Sequence, residues 1–217
     1  KTDGAKFIAD AVVKGAVAIL APPGTTAPAN TPVLEAREPR QALARMAARF
    51  YGRQPDTIVA ITGTNGKTSV ADFTRQLYAA LGRQAASVGT IGVVKPDGAV
   101  YGSLTTPDPI TLHATLADLA NDGVTHLAFE ASSHGLDQFR LDGVKLAAAA
   151  FTNLGRDHLD YHPTIEDYLA AKMRLFKELL APGQPAIVNT DGPRAADVIA
   201  VAKARGLALM TTGMHGD

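Results

Sequence analysis

The chain has 217 residues, no cysteine, and equal numbers of acidic and basic side chains, 21 of each, so its formal net charge is zero. The lack of cysteine excludes disulfides, thiolate nucleophiles and cysteine-bound zinc or iron–sulfur sites. A zero net charge argues against bulk electrostatic binding to nucleic acid or to an anionic membrane. No apolar run reaches the ~20 residues of a membrane-spanning helix, so we expect no membrane insertion and a soluble, intracellular type of globular protein.

The first part of the chain has the pattern of a small α/β unit. Residues 6–15 are helix-like, residues 16–20 form a short apolar strand, and a loop rich in Pro, Thr and Ala covers residues 21–32. An Ala- and Arg-rich amphipathic helix follows at residues 38–51. We therefore place a domain boundary near Arg37, with residues 1–36 in one unit and residues 37–217 in the other. The chain does not begin with Met, so we expect the start of the first unit to be missing.

Strand-like and helix-like segments alternate through the second unit, which is typical of an α/β domain with a mainly parallel sheet flanked by helices. The expected strands cover residues 57–62, 85–88, 91–94, 99–101, 126–130, 146–152 and 186–189. The expected helices cover residues 68–81, 109–121, 164–180 and 194–205. The third and fourth strands flank Pro96-Asp97-Gly98, which is a favourable hairpin turn.

The strongest local motif is a glycine-rich loop between the first strand and first helix of this unit, Thr62-Gly63-Thr64-Asn65-Gly66-Lys67-Thr68. Such a loop can turn backbone N–H groups toward phosphate oxygens at a helix N-terminus, with the lysine on the β/γ-phosphates and the hydroxyl on Mg²⁺. Ile61 stands where the general pattern has its first glycine. The alternative is a tight glycine turn that only caps the helix.

A second group of candidates follows the strand at residues 126–130. Glu130 ends this apolar strand, and ligands bind at the carboxyl ends of strands in open α/β sheets. Glu130 is therefore a candidate to hold Mg²⁺, the alternative being a solvent-facing or helix-capping carboxylate. Ser132 and His134 come next and suit a polar ligand, but the glycines of a serine-hydrolase elbow are absent around Ser132.

Metal-capable side chains are dense between Asp157 and His162. His158 and His162 are four residues apart, which would place them on one face of a helix. Leu159 replaces the Glu that a zinc-protease motif requires, so Mg²⁺ ligation or a plain hydrogen-bonded loop is the better interpretation.

The remaining candidates are ambiguous when taken one at a time. Lys172 lies inside an amphipathic pattern and would be an ordinary helix lysine on sequence alone. Thr105 and Thr106 precede Pro109 in a rigid, hydroxyl-rich loop that either starts a helix or holds a polar ligand. Gln138 and Arg140 allow the same two interpretations.

Taken together, these segments resemble the Mur ligases of peptidoglycan synthesis, and within them the MurE type. The resemblance rests on the order and spacing of residues 62–68, 105–109, 130–136, 151–162 and 168–172. The family's loop has two glycines before Lys-Thr, which accounts for Ile61. The resemblance implies a cytoplasmic, monomeric, ATP- and Mg²⁺-dependent ligase. Its substrates would be UDP-N-acetylmuramoyl-L-alanyl-D-glutamate and a diamino acid, joined through an acyl phosphate in cell-wall biosynthesis.

The resemblance also implies roles for individual residues. ATP phosphates would lie on residues of the glycine-rich loop, Gly63, Thr64, Asn65, Gly66, Lys67, Thr68 and Ser69. Thr68 and Glu130 would hold one Mg²⁺, and His158 a second, supported by Lys172 in carbamylated form. The residues expected to contact the UDP-muramyl-dipeptide are Thr105, Thr106, Ser132, Gln138 and Arg140. Lys67, Glu130, His158 and Lys172 would be the catalytic group.

Two alternatives stay open at this point. The chain could be another enzyme on the same scaffold, such as folylpolyglutamate synthetase, or a noncatalytic nucleotide-binding module. The family carries amino-acid specificity in a C-terminal domain that we expect to be absent here, so the choice of meso-diaminopimelate over L-lysine rests on similarity to Gram-negative members. Without that domain, we expect this polypeptide not to complete the ligation alone.

Overall fold

The computed structural model describes residues 4–28, 30–100, 105–156 and 160–214. Within these ranges, the strands form one eight-stranded sheet with the order β10-β9-β8-β3-β7-β4-β5-β6 and one small two-stranded sheet, β1-β2. The strands are β1 Ile19–Ala21, β2 Val33–Glu35, β3 Thr57–Thr62, β4 Ala85–Gly89, β5 Gly92–Lys95, β6 Gly98–Val100, β7 His126–Glu130, β8 Ala148–Phe151, β9 Pro185–Asn189 and β10 Ala208–Thr212. All neighbours are parallel except the β4-β5 and β5-β6 pairs.

Helices connect the parallel strands. They are α1 Ile8–Val13, α2 Pro39–Tyr51, α3 Lys67–Ala80, α4 Pro109–Asn121, α5 Ser133–Asp137, α6 Ile165–Arg174 and α7 Ala195–Ala204. A 3-10 turn, Gly4–Phe7, precedes α1, and a π-helical turn, Leu175–Leu179, extends α6. Within the described ranges, no helix has the length and apolar character needed to cross a bilayer.

The mainly parallel α/β architecture expected from the sequence is confirmed. The expected bounds of β3, α4 and β7 match the structure residue for residue. The helix expected at residues 164–180 is shorter as an α-helix, because its last turn widens into the π-turn. Three short elements were not expected: β2, α5 and β10.

Sequence chemistry explains where the principal helices begin and end. Asp108 caps α4 by accepting hydrogen bonds from the amides of Ile110 and Thr111, with Pro109 at the first helical position. Thr164 caps α6 by accepting from the amide of Asp167. Gly52 ends α2 in a left-handed conformation that glycine adopts without steric cost. These caps fix the directions of the helices that flank the sheet.

The centre of the large sheet is where the site will lie. β3 is paired in parallel with β7 on one side and with β8 on the other. Its residues Ile58, Ala60 and Ile61 are fully buried, so the strand is covered on both faces, as is usual for a central parallel strand. The loop that follows β3 therefore starts from the buried centre of the sheet.

His113 on α4 is a buried titratable group away from that loop. It is 2% exposed, and its Nε2 lies 3.1 Å from the carbonyl oxygen of Asp142. Burial lowers the pKa of His113 below its ordinary value, partly opposed by the hydrogen bond with the Asp142 backbone. Because the folded protein disfavours the protonated ring, the unfolded chain binds more protons as the pH falls below about 6.5.

We therefore expect the free energy of unfolding to fall on acidification through about pH 6.5, by at most ~1.4 kcal/mol per pH unit from this group. His113→Gln should remove this part of the pH dependence. The measurement is chemical denaturation of both proteins from pH 5 to pH 8, since their difference at each pH cancels the other titrating groups. If the difference in free energy of unfolding between the two proteins stays constant from pH 5 to pH 8, His113 is not the source of the pH dependence.

Candidate functional site

The glycine-rich loop, residues 63–66, is held in place by the end of β8. Thr64 donates its amide hydrogen to the Asn153 carbonyl oxygen over 2.9 Å, and Asn65 donates its own to Asn153 Oδ1 over 3.0 Å. Thr152 Oγ1 donates to the Asn65 carbonyl oxygen over 2.7 Å. The loop is thus tied to a neighbouring strand by side chains and backbone together, so its amides have fixed directions.

The two glycines of the loop have different roles. Gly63 has φ +146°, and a Cβ there would overlap the Thr152 hydroxyl and lie 3.0 Å from the Asn153 nitrogen. Gly66 has φ +82° and open space around it. Gly63 therefore permits a close approach between two loops, whereas Gly66 supplies the left-handed backbone that starts α3.

The beginning of α3 has the properties of an anion site. Its N-cap residue is Gly66, so no N-cap side chain accepts a hydrogen bond from the first turn. The first amides of a helix lack intrahelical partners and carry partial positive charge. Lys67 Nζ folds back over the loop and donates to the carbonyl oxygens of Gly63 and Thr64, over 3.1 Å and 2.9 Å. Its charge is therefore held at the same place as the helix terminus.

Glu130 lies beside this loop at the carboxyl end of β7 and is 1% exposed. Its Oε2 accepts a hydrogen bond from Thr68 Oγ1 over 3.0 Å, and its Oε1 accepts one from the Thr90 amide over 2.9 Å. A solvent-facing or helix-capping role for Glu130 is therefore wrong. The absence of a side chain at Gly89 leaves the space that the carboxylate occupies, because a Cβ there would overlap it.

The Thr68 hydroxyl and Glu130 carboxylate are suited to a hard cation. Among the described residues, no group of three or more His, Cys, Asp or Glu side chains is arranged to hold a metal. Two oxygen ligands from the protein fit Mg²⁺, which keeps several waters and takes its other ligands from phosphates. The donor set thus fits a metal that arrives with a nucleotide better than a permanently caged ion.

Hydroxyl groups continue from Glu130 toward α5. Thr90 Oγ1 lies 3.0 Å from Thr105 Oγ1, and Thr106 Oγ1 donates to the Glu130 carbonyl oxygen over 3.0 Å. Thr106 Oγ1 also accepts from the amide and the hydroxyl of Ser132. The structure therefore brings Thr105, Thr106 and Ser132 together beside Glu130.

Gln138 and Arg140 follow α5 and are joined to the same network. Arg140 Nη1 donates to the Thr106 carbonyl oxygen over 2.5 Å, and Nη2 donates to Gln138 Oε1 over 2.8 Å. Gln138 Nε2 donates to the hydroxyl of Tyr161 over 3.0 Å. Burial lowers the pKa of the Arg140 guanidinium below its ordinary value, which is consistent with a cation in a partly desolvated site.

Lys172 on α6 is buried under the glycine-rich loop. It is 1% exposed, and its Nζ donates to the Gly63 carbonyl oxygen over 2.7 Å. The same Nζ lies 4.2 Å from the centre of the Tyr168 ring, and the Tyr168 hydroxyl is 3.2 Å from Thr64 Oγ1. The interpretation of Lys172 as an ordinary helix lysine is wrong, since its head group belongs to the loop.

The histidine motif is only partly described. His158, with Asp157 and Leu159, lies outside the described residues. His162 is buried in a turn before α6, so the expectation that it would lie on a helix is wrong. Its ring is 5.3 Å from that of Tyr168 and 5.6 Å from that of His134. His162 therefore packs in an aromatic cluster next to Lys172.

Site residues that were missed in the sequence include Thr90, Thr152, Asn153 and Tyr168. Thr90 and Asn153 lie just after strand ends, β4 and β8, the positions where parallel sheets gather their ligand-binding groups. Their position just after a predicted strand was the sequence feature that could have identified these two residues. Tyr168 and Lys172 are four residues apart on the buried face of α6, so helical periodicity could have placed Lys172 inside.

A cavity of 370 Å³ opens beside the loop and falls within the size range of small-ligand pockets. Its lining includes polar side chains from the ends of three strands and the loop: Asn65, Asn153, Asn189, Asp191 and Thr212. The cavity and the start of α3 share Gly66. A ligand with an anionic group at α3 and an uncharged, hydrogen-bonding body fits this arrangement.

Comparison with known proteins connects this geometry to one family. A family model described as the Mur ligase middle domain matches residues 61–217. A protein of Rhizobium meliloti, named UDP-N-acetylmuramoyl-L-alanyl-D-glutamate--2,6-diaminopimelate ligase, is 60% identical over the whole chain. The match spans 45% of that protein, so the chain is just under half the length of this relative.

Solved structures agree with the sequence match. A structure of a UDP-N-acetylmuramoyl-L-alanyl-D-glutamate--2,6-diaminopimelate ligase superimposes with a TM-score of 0.83 at 32% identity, over 98% of this chain and 43% of that one. A folylpolyglutamate synthase of Mycobacterium tuberculosis complexed with ADP gives 0.62 at 17% identity, over 79% of this chain and 45% of that one, which shows a shared fold only. From residue 61 onward the chain has the middle domain of a Mur ligase, and it belongs to that family.

Proposed function

We propose that the chain is the nucleotide-binding part of a ligase that joins 2,6-diaminopimelate to UDP-N-acetylmuramoyl-L-alanyl-D-glutamate at the expense of ATP. The observation that carries the proposal is the hydrogen bond between Thr68 and the buried Glu130 at the start of α3. It brings together a hydroxyl, a carboxylate and a helix N-terminus, a combination that supports the binding of a Mg–nucleotide complex. The 60% identical relative supplies the substrate names.

In this proposal the γ-phosphoryl group moves from ATP to the side-chain carboxylate of the D-glutamyl residue, which gives an acyl phosphate and ADP. The amine of 2,6-diaminopimelate then attacks the acyl carbon, and the C–O bond to phosphate breaks. The products are the amide and inorganic phosphate. Phosphorylation is needed because a free carboxylate would have to expel oxide, whereas phosphate is a stable leaving group.

The protein contributes position and charge. Lys67 and the α3 amides bind the phosphate oxygens of ATP, and the loop residues assigned to this task are Gly63, Thr64, Asn65, Gly66, Lys67, Thr68 and Ser69. Thr68 and Glu130 would hold Mg²⁺, whose charge would offset that of the phosphate oxygens. The 370 Å³ cavity next to Gly66 takes the rest of the nucleotide.

The second substrate is assigned to the hydroxyl-rich side of the site. Thr105, Thr106 and Ser132 supply hydrogen bonds, and Gln138 and Arg140 bind the anionic groups of the UDP-muramyl-dipeptide. His158 keeps its proposed role at a second Mg²⁺, with Lys172 as the supporting residue. Lys172 is next to the loop through the Gly63 carbonyl oxygen, which is consistent with that role.

The proposal includes the domain division and the setting. Residues 1–36 would belong to a separate N-terminal unit, because β1 and β2 pair with each other and not with the large sheet within the described ranges. Residues 37–217 would form the nucleotide-binding unit, whose first helix, α2, packs on α4. We place the enzyme in the cytoplasm, where ATP and the nucleotide-linked substrate are available. We also propose that it is a monomer.

The test is ADP release by the full-length protein with Mg-ATP, UDP-N-acetylmuramoyl-L-alanyl-D-glutamate and either 2,6-diaminopimelate or L-lysine. We expect release that requires the dipeptide nucleotide and 2,6-diaminopimelate together. Lys67→Met should lower the rate about 10²–10³-fold, while Lys177→Met, an exposed lysine remote from the loop, should leave it unchanged. Release driven instead by a folate, or none with any acceptor, would overturn the proposal.

A further inference from the structure

The two residues proposed to bind the anionic part of the UDP substrate lie on either side of a strained residue. Phe139, between Gln138 and Arg140, has φ +59°. A bulky side chain disfavours this left-handed region, so the backbone at Phe139 is strained. Such strain persists only where neighbouring groups hold it, and it is concentrated at functional sites.

Arg174, near the end of α6, contacts the 136–142 segment at three places. Its Nη1 donates to the Leu136 carbonyl oxygen, and its guanidinium carbon lies 4.1 Å from the centre of the Phe139 ring. Its Nη2 donates to Asp142 Oδ2 over 3.1 Å. The side chain of Arg174 is 11% exposed and that of Asp142 is 3% exposed, so solvent weakens these contacts little.

The contacts use properties that belong to arginine. The planar guanidinium stacks on an aromatic ring while its separate N–H groups donate in fixed directions. The planar guanidinium of Arg174 therefore contacts the segment at its beginning, its middle and its end, at Leu136, Phe139 and Asp142. Asp142 Oδ1 also accepts a hydrogen bond from Gln41 Nε2 over 2.7 Å. This bond connects the contacts of Arg174 to α2.

We propose that Arg174 is a positioning residue for the UDP-muramyl-dipeptide. It holds Phe139 in its left-handed conformation, and thereby fixes the directions of Gln138 and Arg140. Arg140 is the group acted on, since its own side chain reaches back to Gln138 Oε1 and to the Thr106 carbonyl oxygen. Nothing in this role requires Arg174 to touch substrate. The inference rests on the proposed function, because it takes Arg140 as a substrate-binding residue.

The first test compares Arg174→Met with Arg75→Met in the full-length protein. Arg174 also pairs with Glu178, four residues further along the chain, over 2.7 Å. Arg75 is a matched control, because it makes a similar local ion pair with Asp72, over 2.7 Å, but within the described residues it makes no hydrogen bond or ion pair with the 136–142 segment. We expect Arg174→Met to raise KM for the UDP-muramyl-dipeptide about tenfold, the loss of one charged hydrogen bond, and to leave KM for ATP unchanged. Arg174→Lys should not restore the wild-type KM, since lysine keeps the positive charge but lacks the planar guanidinium group.

Arg174→Met removes the ion pair with the buried Asp142 carboxylate, and this change alone can destabilise the fold. A second variant therefore leaves the ion pair intact. Phe139→Gly removes the ring and frees the backbone without touching that ion pair, and it should raise the same KM. Hydrogen exchange of the 136–142 amides should become faster in Arg174→Met and in Phe139→Gly, but not in Arg75→Met. Unchanged exchange in Arg174→Met would overturn the positioning role whether or not the assay substrates are the right ones.

The decisive measurement is a double-mutant cycle with Arg140→Met. If Arg174 acts through Arg140, Arg174→Met should have little further effect on KM in the Arg140→Met background. Additive effects would mean that Arg174 does not act through Arg140. If Arg140→Met itself leaves KM unchanged, the substrate assignment in the proposed function is wrong. If only Arg174→Met leaves it unchanged, the positioning inference alone fails.

Discussion

Gly63→Ala should abolish high-affinity nucleotide binding while Gly66→Ala weakens it only modestly. A Cβ at Gly63 would overlap the Thr152 hydroxyl and lie 3.0 Å from the Asn153 nitrogen and 3.1 Å from its oxygen. The overlap and the unfavourable φ of +146° each cost about 1–3 kcal/mol. Because this loop carries the amides that we propose bind phosphate, we expect the dissociation constant for Mg-ATP to rise about a hundredfold or more.

Gly66→Ala is the matched control. Its φ of +82° also disfavours a side chain, but a Cβ there meets no atom within 4 Å, so the expected cost is about 1–2 kcal/mol of backbone strain. Gly63→Ala combined with Thr152→Ala should recover only part of the affinity, because the Asn153 backbone stays in place. Titration calorimetry with ATP and thermal unfolding report binding and folding separately. Wild-type affinity in Gly63→Ala would refute the close-approach role.

Lys172→Ala should lower ligase activity of the full-length protein about 10²–10³-fold. Its Nζ donates to the Gly63 carbonyl oxygen over 2.7 Å from a site that is 1% exposed, so the substitution removes a buried donor from the loop. The sign of the charge required at this position separates two hypotheses. As an ammonium, Lys172 supports the loop directly. As a carbamate, formed from its amine and CO₂ with loss of a proton, it supports a metal ion.

Chemical rescue distinguishes the two. Formate or acetate added to Lys172→Ala should restore activity if the working group is the anionic carbamate, and ethylamine should not. Lys172→Arg keeps a positive charge and cannot be carbamylated, so it should stay inactive in that case. Rescue by ethylamine together with activity in Lys172→Arg would support the ammonium instead. Full activity of Lys172→Ala without any additive would remove Lys172 from the mechanism.

The sequence was informative where one strong local pattern decided the structure. A β-branched apolar run flanked by glycine specified β3, and Asp-Pro followed by apolar spacing specified α4. α5 and β2 are five and three residues long, too short for periodicity to emerge. β10 alternates between exposed and half-buried residues at a sheet edge, where its parallel pairing with β9 depends on a partner distant in the chain.

For the candidate site too, local patterns could be recognised in the sequence and contacts between distant segments could not. The glycine-rich loop could be recognised because its chemistry is contiguous. The anchoring role of Asn153 could not, because it depends on β8 lying beside β3. Lys172 was misjudged because a lysine within a helical pattern is usually exposed, and only the packed position of α6 under Gly63 shows otherwise.

The pairing of β3 with both β7 and β8 has a kinetic consequence for folding. Residue 62 and residue 151 are partners in the sheet, and the loop after β3 takes its shape from Thr152 and Asn153. Contacts between such distant segments form late, because the entropy of closing the intervening chain must be overcome first. A chain emerging from the ribosome therefore cannot assemble the loop until residue 153 has left the exit tunnel. Under the proposed function, nucleotide binding therefore stabilises the sheet only after it has assembled and cannot assist the pairing of its first strands.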